Sequence, residues 1–204
     1  MATKTAPKLS IRLASNLVTG RFELDKPLAE GLGAPAGAGW WFGDAEAAKA
    51  SPLAQKLMAV ETVSGVKLSG STVSVTRDSY EDWHLVAKTL AAVLSDFAAS
   101  GKPAVNPGTP SNLPSAEKIR EIVEQVLETE VNPAVASHGG EIRLVDVKGT
   151  NVYVQLLGGC HGCASSTVTL KQGVERSLRD AVPQIDDIID VTDHATGENP
   201  YHKG

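Results

Sequence analysis

Two cysteines in this chain have the spacing of a metal-binding or redox pair. Cys160 and Cys163 lie in the segment Gly158-Gly-Cys-His-Gly-Cys-Ala-Ser-Ser, and they are the only cysteines in the sequence. A tetrahedral zinc ion or a cubane iron–sulfur cluster takes about four protein ligands. The chain therefore supplies half of such a site, and the other ligands must come from histidines, small molecules or a second copy of the chain.

The neighbours of the two cysteines favour metal binding. Gly159 and Gly162 add little bulk and leave the backbone free to wrap a cluster, so that amides can donate hydrogen bonds to inorganic sulfide. Cys163 lies just before a predicted helix, whose free N–H groups and dipole favour a thiolate over a thiol. The thiolate is the form of cysteine that binds iron or zinc.

Four interpretations of this pair are open. A thioredoxin-type motif also lies between a strand and a helix, but that fold needs further strands, and only about 25 residues follow the predicted helix. Zinc held by one chain would take His138 and His161, the nearest candidates, although each is also expected to be an ordinary loop or capping residue. Two inert cysteines are the third interpretation. A metal centre shared between two chains is the fourth, and it is favoured.

Composition narrows the classes of function. At 204 residues the chain has room for one large domain or two small ones. A net charge of −5 without a long basic run argues against nucleic-acid binding. No apolar stretch approaches the roughly 20 residues that cross a bilayer. We therefore expect a cytoplasmic protein, and in that reducing compartment the cysteines are ligands or redox groups rather than a disulfide.

The N-terminal residues offer one alternative to a cytoplasmic location. They lack the apolar centre of a secretion signal. They do contain four basic residues and no acidic residue before Glu23, which faintly resembles an organelle transit peptide.

A segment rich in proline divides the chain. Residues 100–114 contain four prolines and two glycines with few apolar side chains, which predicts a stiff, solvated linker. We therefore expect a first domain over residues 1–99 and a second over 115–191, followed by a polar tail over 192–204.

The pattern of apolar residues predicts two small α+β domains. The first should contain strands near 11–18 and 21–24, packed tryptophans at 40–41, a helix starting at Ser51-Pro52, a hairpin over 66–77 and a helix over 82–99. The second should contain a helix from Ser115 that kinks or restarts at Pro133 and ends at Gly139-Gly140, strands over 142–147 and 152–157, a helix capped by Ser165 or Ser166, and a strand over 185–191. Its order is α-β-β-α-β.

Two stretches of the second half resemble a known family. The residues 132–147 and 158–175 are similar to the NifU C-terminal domain, which is the Nfu-type iron–sulfur cluster carrier, and the resemblance extends over 115–191. His138 matches the branch of bacterial members that have histidine there. Residues 51–83 resemble, more loosely, the Nfu N-terminal domain.

The resemblance implies a function for the cysteine pair. Members of this family assemble a [4Fe–4S] cluster between two subunits and hand it to apo-proteins. Carried over to this chain, that function rests on Cys160 and Cys163 alone, and two chains together supply four thiolates. It implies a carrier rather than an enzyme, a homodimer on cluster binding, and partners among apo iron–sulfur clients and cluster donors. The alternatives are a thiol–disulfide oxidoreductase attacking through Cys160 and a zinc-binding interaction module.

Overall fold

The chain folds into two compact units. The structure is a computed structural model, and it describes residues 9–13, 18–28, 39–79, 82–136, 139–158 and 166–192. Contacts divide the chain into Met1–Leu113 and Pro114–Gly204. Each unit places helices beside a small sheet, which confirms the predicted α+β class.

The first unit is built on a five-stranded antiparallel sheet with the order β1-β2-β5-β4-β3. Its strands are β1 (Leu9–Leu13), β2 (Thr19–Leu24), β3 (Gly39–Phe42), β4 (Val63–Ser69) and β5 (Thr72–Arg77). Its described helices are α1 (Ala45–Ala48), α2 (Pro52–Met58) and α3 (Trp83–Ser100). The predicted hairpin is confirmed as β4 and β5, and it turns at Gly70, whose φ is +58°.

Helix starts in the first unit follow the sequence signals. Ser51 accepts a hydrogen bond from the Ala54 N–H at 2.9 Å, with Pro52 in the first helical turn, as predicted. Asp82 caps α3 in the same way through the His84 N–H. The helices cover one face of the sheet, and the largest fully buried side chains there are Phe22, Leu28, Trp40, Phe42, Leu53, Leu57, Leu68, Leu90, Leu94 and Phe97.

Part of the predicted solvated linker packs against the first unit, although most residues of 100–114 are exposed as expected. Residues 104–113, here called the strap, lie against the first unit, and Ala104 and Val105 are buried in its core. The Ser51 hydroxyl donates to the Ala104 carbonyl at 2.5 Å. The prediction for 100–114 took the prolines and the scarcity of apolar side chains as signs of solvation. Two small apolar residues were enough to bury part of the segment.

Polar side chains of the strap close the edge of the sheet. The Asn112 amide accepts from the Trp41 N–H at 2.7 Å and donates to the Trp41 carbonyl at 2.8 Å. Ser111 bonds both the N–H and the C=O of Gly39. Because β3 is an edge strand, these contacts satisfy backbone groups that would otherwise be open to another chain.

The second unit follows the predicted α-β-β-α-β order. Its described elements are α4 (Ala116–Val126), a π turn (Leu127–Val131), α5 (Asn132–Ala136), β6 (Gly140–Lys148), β7 (Asn151–Gly158), α6 (Ser166–Ala181) and β8 (Ile188–Asp190). β6 pairs antiparallel with β7, and β7 pairs parallel with β8. Apolar side chains from α4, α5, α6 and the sheet share one core.

The long helix of this unit changes its hydrogen-bond pattern before Pro133. The Asn132 N–H donates to the Leu127 carbonyl, five residues back. A proline lacks the N–H of a regular turn, and its ring crowds the carbonyl four residues earlier. The helix restarts after the π turn, as predicted, and its described part ends at Ala136. The Gly139 N–H donates to the Ala136 carbonyl at 2.9 Å, and the φ of Gly139 is +67°, which suits the predicted stop at Gly139-Gly140.

The last strand is shorter than predicted. It covers Ile188–Asp190 rather than 185–191. The Arg179 guanidinium donates to the carbonyls of Ile185 and Asp186 at 2.7 and 2.9 Å, which holds these residues in a turn between α6 and β8. A hydrogen bond from an arginine to backbone carbonyls leaves no repeating pattern in the sequence. Because the strand was predicted from apolar residues alone, its predicted start at residue 185 was too early.

We expect Ser51→Ala to destabilise the first unit by about 2 kcal/mol, because it removes a helix cap and a buried hydrogen bond to the strap. Urea unfolding followed by tryptophan fluorescence measures this unit alone, since all three tryptophans lie in it. Ser64→Ala is the matched control. Its hydroxyl is exposed and makes one long bond of 3.4 Å, so a change within about 0.5 kcal/mol is expected. Equal effects of the two changes would show that the strap contact contributes nothing.

Candidate metal centre

The predicted ligands lie in a short connection between a strand and a helix. β7 ends at Gly158 and α6 begins at Ser166, so residues 159–165, here called the cysteine loop, contain both cysteines. Cys160 and Cys163 lie outside the described residues, as do His138 and His161. The structure describes the elements on either side of the loop. The end of β7 at Gly158, the start of β6 beside it and the start of α6 at Ser166 are here called the frame.

On one side of that frame, the backbones of Gly139 and Gly158 are in close contact. Gly140 pairs with Gly158 at the end of the β6–β7 ladder. Gly158 has φ of +65°, and a Cβ built on it would lie 2.3 Å from the Gly139 carbonyl oxygen. Any side chain there would force the strands apart. Gly158 must therefore be glycine for two reasons: its φ is positive, and the backbone of Gly139 leaves no room for a Cβ.

The other side of β7 is held by the chain that leaves β8. The Val191 N–H donates to the Val154 carbonyl at 2.9 Å. The Thr192 hydroxyl then accepts from the Leu156 N–H at 2.7 Å, in a buried position. Thr192 is therefore part of the packed second unit, and the polar tail predicted over 192–204 does not include it. β7 is thus bonded on both sides close to the cysteine loop.

A pair of opposite charges lies at the start of β6, beside the frame. Glu141, which follows Gly140, accepts two hydrogen bonds from Arg143 at 2.7 and 3.1 Å. This contact lowers the pKa of the Glu141 carboxyl and raises the pKa of Arg143, so both groups stay charged at neutral pH and add no net charge. α6 is 16 residues long, and the positive end of its dipole lies at the return of the cysteine loop.

Asn132 has a structural role that the sequence pattern did not predict. Its Oδ1 accepts from the Ile142 N–H at 2.8 Å, and its Nδ2 donates to the Ile142 carbonyl at 3.0 Å. These bonds join the start of α5 to the edge strand β6. The signal that could have indicated this role is the pair Asn132-Pro133, because asparagine followed by proline is typical of a helix start as well as of a break in a helix.

The described residues add no other metal site. Within them, no group of three or more His, Cys, Asp or Glu side chains is arranged to hold a metal ion. None of the helices in the described ranges has the length and apolarity needed to cross a bilayer. Cys160 and Cys163 thus stay the predicted ligands.

Comparison with protein families matches both halves of the chain. The model described as "Scaffold protein Nfu/NifU N terminal" matches residues 14–101, and the model described as "NifU-like domain" matches residues 123–189. The second match contains both cysteines. The gap between the matches includes the strap.

Curated proteins with similar sequences carry names of the same kind. "NFU1 iron-sulfur cluster scaffold homolog, mitochondrial" of Homo sapiens is 33% identical over 74% of this chain and 61% of its own length. The protein of that name from Drosophila sechellia is 31% identical over 76% of this chain and 56% of its own length. "Fe/S biogenesis protein NfuA" of a Pseudomonas savastanoi strain is 46% identical over 41% of this chain and 45% of its own length. The chain spans about six-tenths or less of each of these relatives.

A solved structure also resembles part of the fold. The solution NMR structure of a NifU-like protein from Saccharomyces cerevisiae matches 52% of this chain and 91% of its own with a TM-score of 0.44 and 12% sequence identity.

We expect Gly158→Ala to destabilise the second unit by more than 2 kcal/mol, because a Cβ adds both left-handed backbone strain and a clash with the Gly139 carbonyl. Gly149→Ala is the control, since it has a similar φ of +60° but nothing within 4 Å of its Cβ position. It should cost only about 1–2 kcal/mol of strain. The measurement is chemical unfolding followed by far-UV circular dichroism. Equal losses would contradict the proposed contact.

Proposed function

Because the chain belongs to the Nfu-type NifU-like proteins, with an Nfu N-terminal match before a NifU-like match, we propose that it is an iron–sulfur cluster scaffold or carrier. The observation that carries the proposal is the cysteine pair itself. It lies in the matched domain, in a loop between β7 and α6, in a chain with no other cysteine. The proposed role is that of a carrier, not an enzyme.

The proposed cargo is a [4Fe–4S] cluster held between two subunits. A cubane takes four thiolates, and one chain brings only Cys160 and Cys163. Two chains related by a two-fold axis supply all four. With four thiolates, a [4Fe–4S]²⁺ core has a net charge near −2, which suits a loop that returns to the positive end of α6. The balanced Glu141–Arg143 pair does not oppose this charge.

The proposed transfer step is an exchange of ligands. An acceptor thiol loses its proton and binds an iron, while the thiolate of Cys160 or Cys163 leaves that iron and takes up a proton. Repeated exchange moves the cluster with no change in its oxidation state. A cluster held by only two ligands from each chain has few bonds to break, which favours transfer to apo-proteins over permanent storage.

The first unit is proposed to recognise clients or cluster donors. It contains no cysteine, so it cannot add thiolate ligands to the cluster. The proposed compartment is the predicted cytoplasm, although the similar human and Drosophila proteins are named as mitochondrial. Cell fractionation tests that location.

Anaerobic reconstitution with iron and sulfide tests the cargo. We expect brown protein with about two irons and two sulfides per chain, since one [4Fe–4S] cluster is shared by two chains. Its mass in solution should be that of a dimer. Cys160→Ser and Cys163→Ser should each remove most of the colour, because the hydroxyl does not replace a thiolate.

Other outcomes of this experiment point to the alternatives. A loaded protein that sediments as a monomer contradicts the shared centre. Colourless protein that retains zinc supports the interaction module, and reduction of insulin disulfides without metal supports the oxidoreductase.

Direct transfer gives a second prediction. Mixed with an apo-protein acceptor and a chelator of free iron, the loaded chain should activate the acceptor at a rate that rises with acceptor concentration. Direct exchange keeps iron away from the chelator, whereas release before capture does not. Complete inhibition by the chelator would contradict the exchange step.

A further inference from the structure

We propose that Asn132 is a positioning residue for the cysteine loop. This inference rests on the proposed function, because it concerns how the cluster ligands are held. Asn132 lies 28 positions before Cys160 in the sequence. Its described side-chain hydrogen bonds go to Ile142 on β6, and not to β7 or α6, the two elements that flank the cysteine loop. Its influence is exerted through the edge strand β6.

The π turn sets the face of the helix on which Asn132 lies, and that face is the one beside β6. Apolar side chains that repeat every four residues drift by about 40° per step around a regular helix, because 3.6 residues make one turn. From Val123 through Leu127 and Val131 to Val135 the drift would reach about 120°. All four are nevertheless buried in one core. A π turn contains an additional residue, which offsets this drift and keeps the helix beyond it in register with the sheet.

The amide of Asn132 then acts as a short additional strand. Its two hydrogen bonds join the N–H and the C=O of Ile142, so one side chain satisfies both backbone groups of an edge residue. An amide has the donor and the acceptor needed for this pair of bonds, and neither alanine nor aspartate has both. The contact fixes the distance between the start of α5 and the start of β6.

From β6 the constraint reaches the cysteine loop in two short steps. Two residues before Ile142 is Gly140, which pairs with Gly158. Gly139, one residue earlier, has its carbonyl oxygen against Gly158. Cys160 is two residues beyond Gly158 in the sequence. A shift of β6 relative to α5 therefore changes the position of Gly158, from which the chain enters the cysteine loop.

The first unit provides a matched comparison. The Asn112 amide makes the same pair of bonds to Trp41, on the edge strand β3, at 2.7 and 2.8 Å. It closes a sheet edge in the unit that has no cysteine. If closing an edge were the whole role of Asn132, its loss would destabilise the second unit as the loss of Asn112 destabilises the first, and the cluster would be lost faster only by as much as that lost stability explains.

The test compares Asn132→Ala with Asn112→Ala in the full chain after anaerobic loading with iron and sulfide. The readout is the rate at which an added iron chelator removes colour. Groups that orient metal ligands typically change metal affinity by 10–100-fold when removed, so we expect Asn132→Ala to lose its cluster about 10-fold faster than wild type. Asn112→Ala should stay within about 2-fold. Faster amide hydrogen exchange at Ile142 in unloaded Asn132→Ala confirms that the contact is lost.

Each outcome decides between the proposals. Equal cluster-loss rates for the two variants overturn the role of Asn132 and leave the proposed function intact. A wild-type chain that takes up neither iron nor sulfide overturns both. Should Asn132→Ala fail to fold, Asn132→Asp carries the test, because it keeps the shape and the acceptor while losing the donor to Ile142. Its cluster must also be lost faster than that of Asn112→Asp, and equal rates for this pair overturn the inference.

Discussion

The second unit depends on two glycine backbones that approach each other more closely than side chains permit. At this point a helix has just ended, β6 begins and β7 releases the chain into the cysteine loop. Gly139 and Gly158 both have positive φ, and the carbonyl of one lies where the Cβ of the other would be. The hydrogen bonds of Asn132 and Thr192, on opposite sides of the sheet, hold the strands that meet there. The loop thus leaves from a rigid frame.

The two units close their sheets by the same means. In each, an asparagine amide pairs with both backbone groups of one edge residue, Trp41 in the first and Ile142 in the second. The amide comes from the strap in one unit and from a helix start in the other. Closing an edge in this way leaves fewer free backbone groups for another chain to pair with.

Local signals in the sequence were sufficient for most of the fold. Ser51-Pro52 predicted a helix start, Gly70 a hairpin turn, and the apolar periods predicted the α-β-β-α-β order, because each depends on residues close in sequence. The strap and Thr192 were missed, since their contacts join polar side chains to backbone groups far along the chain. Such long-range hydrogen bonds produce no repeating pattern of residues in the sequence. Residue type and spacing alone predict the cysteine pair as ligands, while the frame from which its loop starts could be described only from the structure.

Pro133, which follows Asn132, affects the chemical stability of the Asn132 side-chain amide. Asparagine deamidates when the backbone nitrogen of the next residue loses its proton and attacks the side-chain carbonyl carbon, which closes a ring and releases the side-chain nitrogen as ammonia. Pro133 has no N–H, so this route is closed at Asn132. Asn112 is followed by Leu113 and has no such protection. The proline that interrupts the helix therefore also preserves the chemical identity of the side chain beside it.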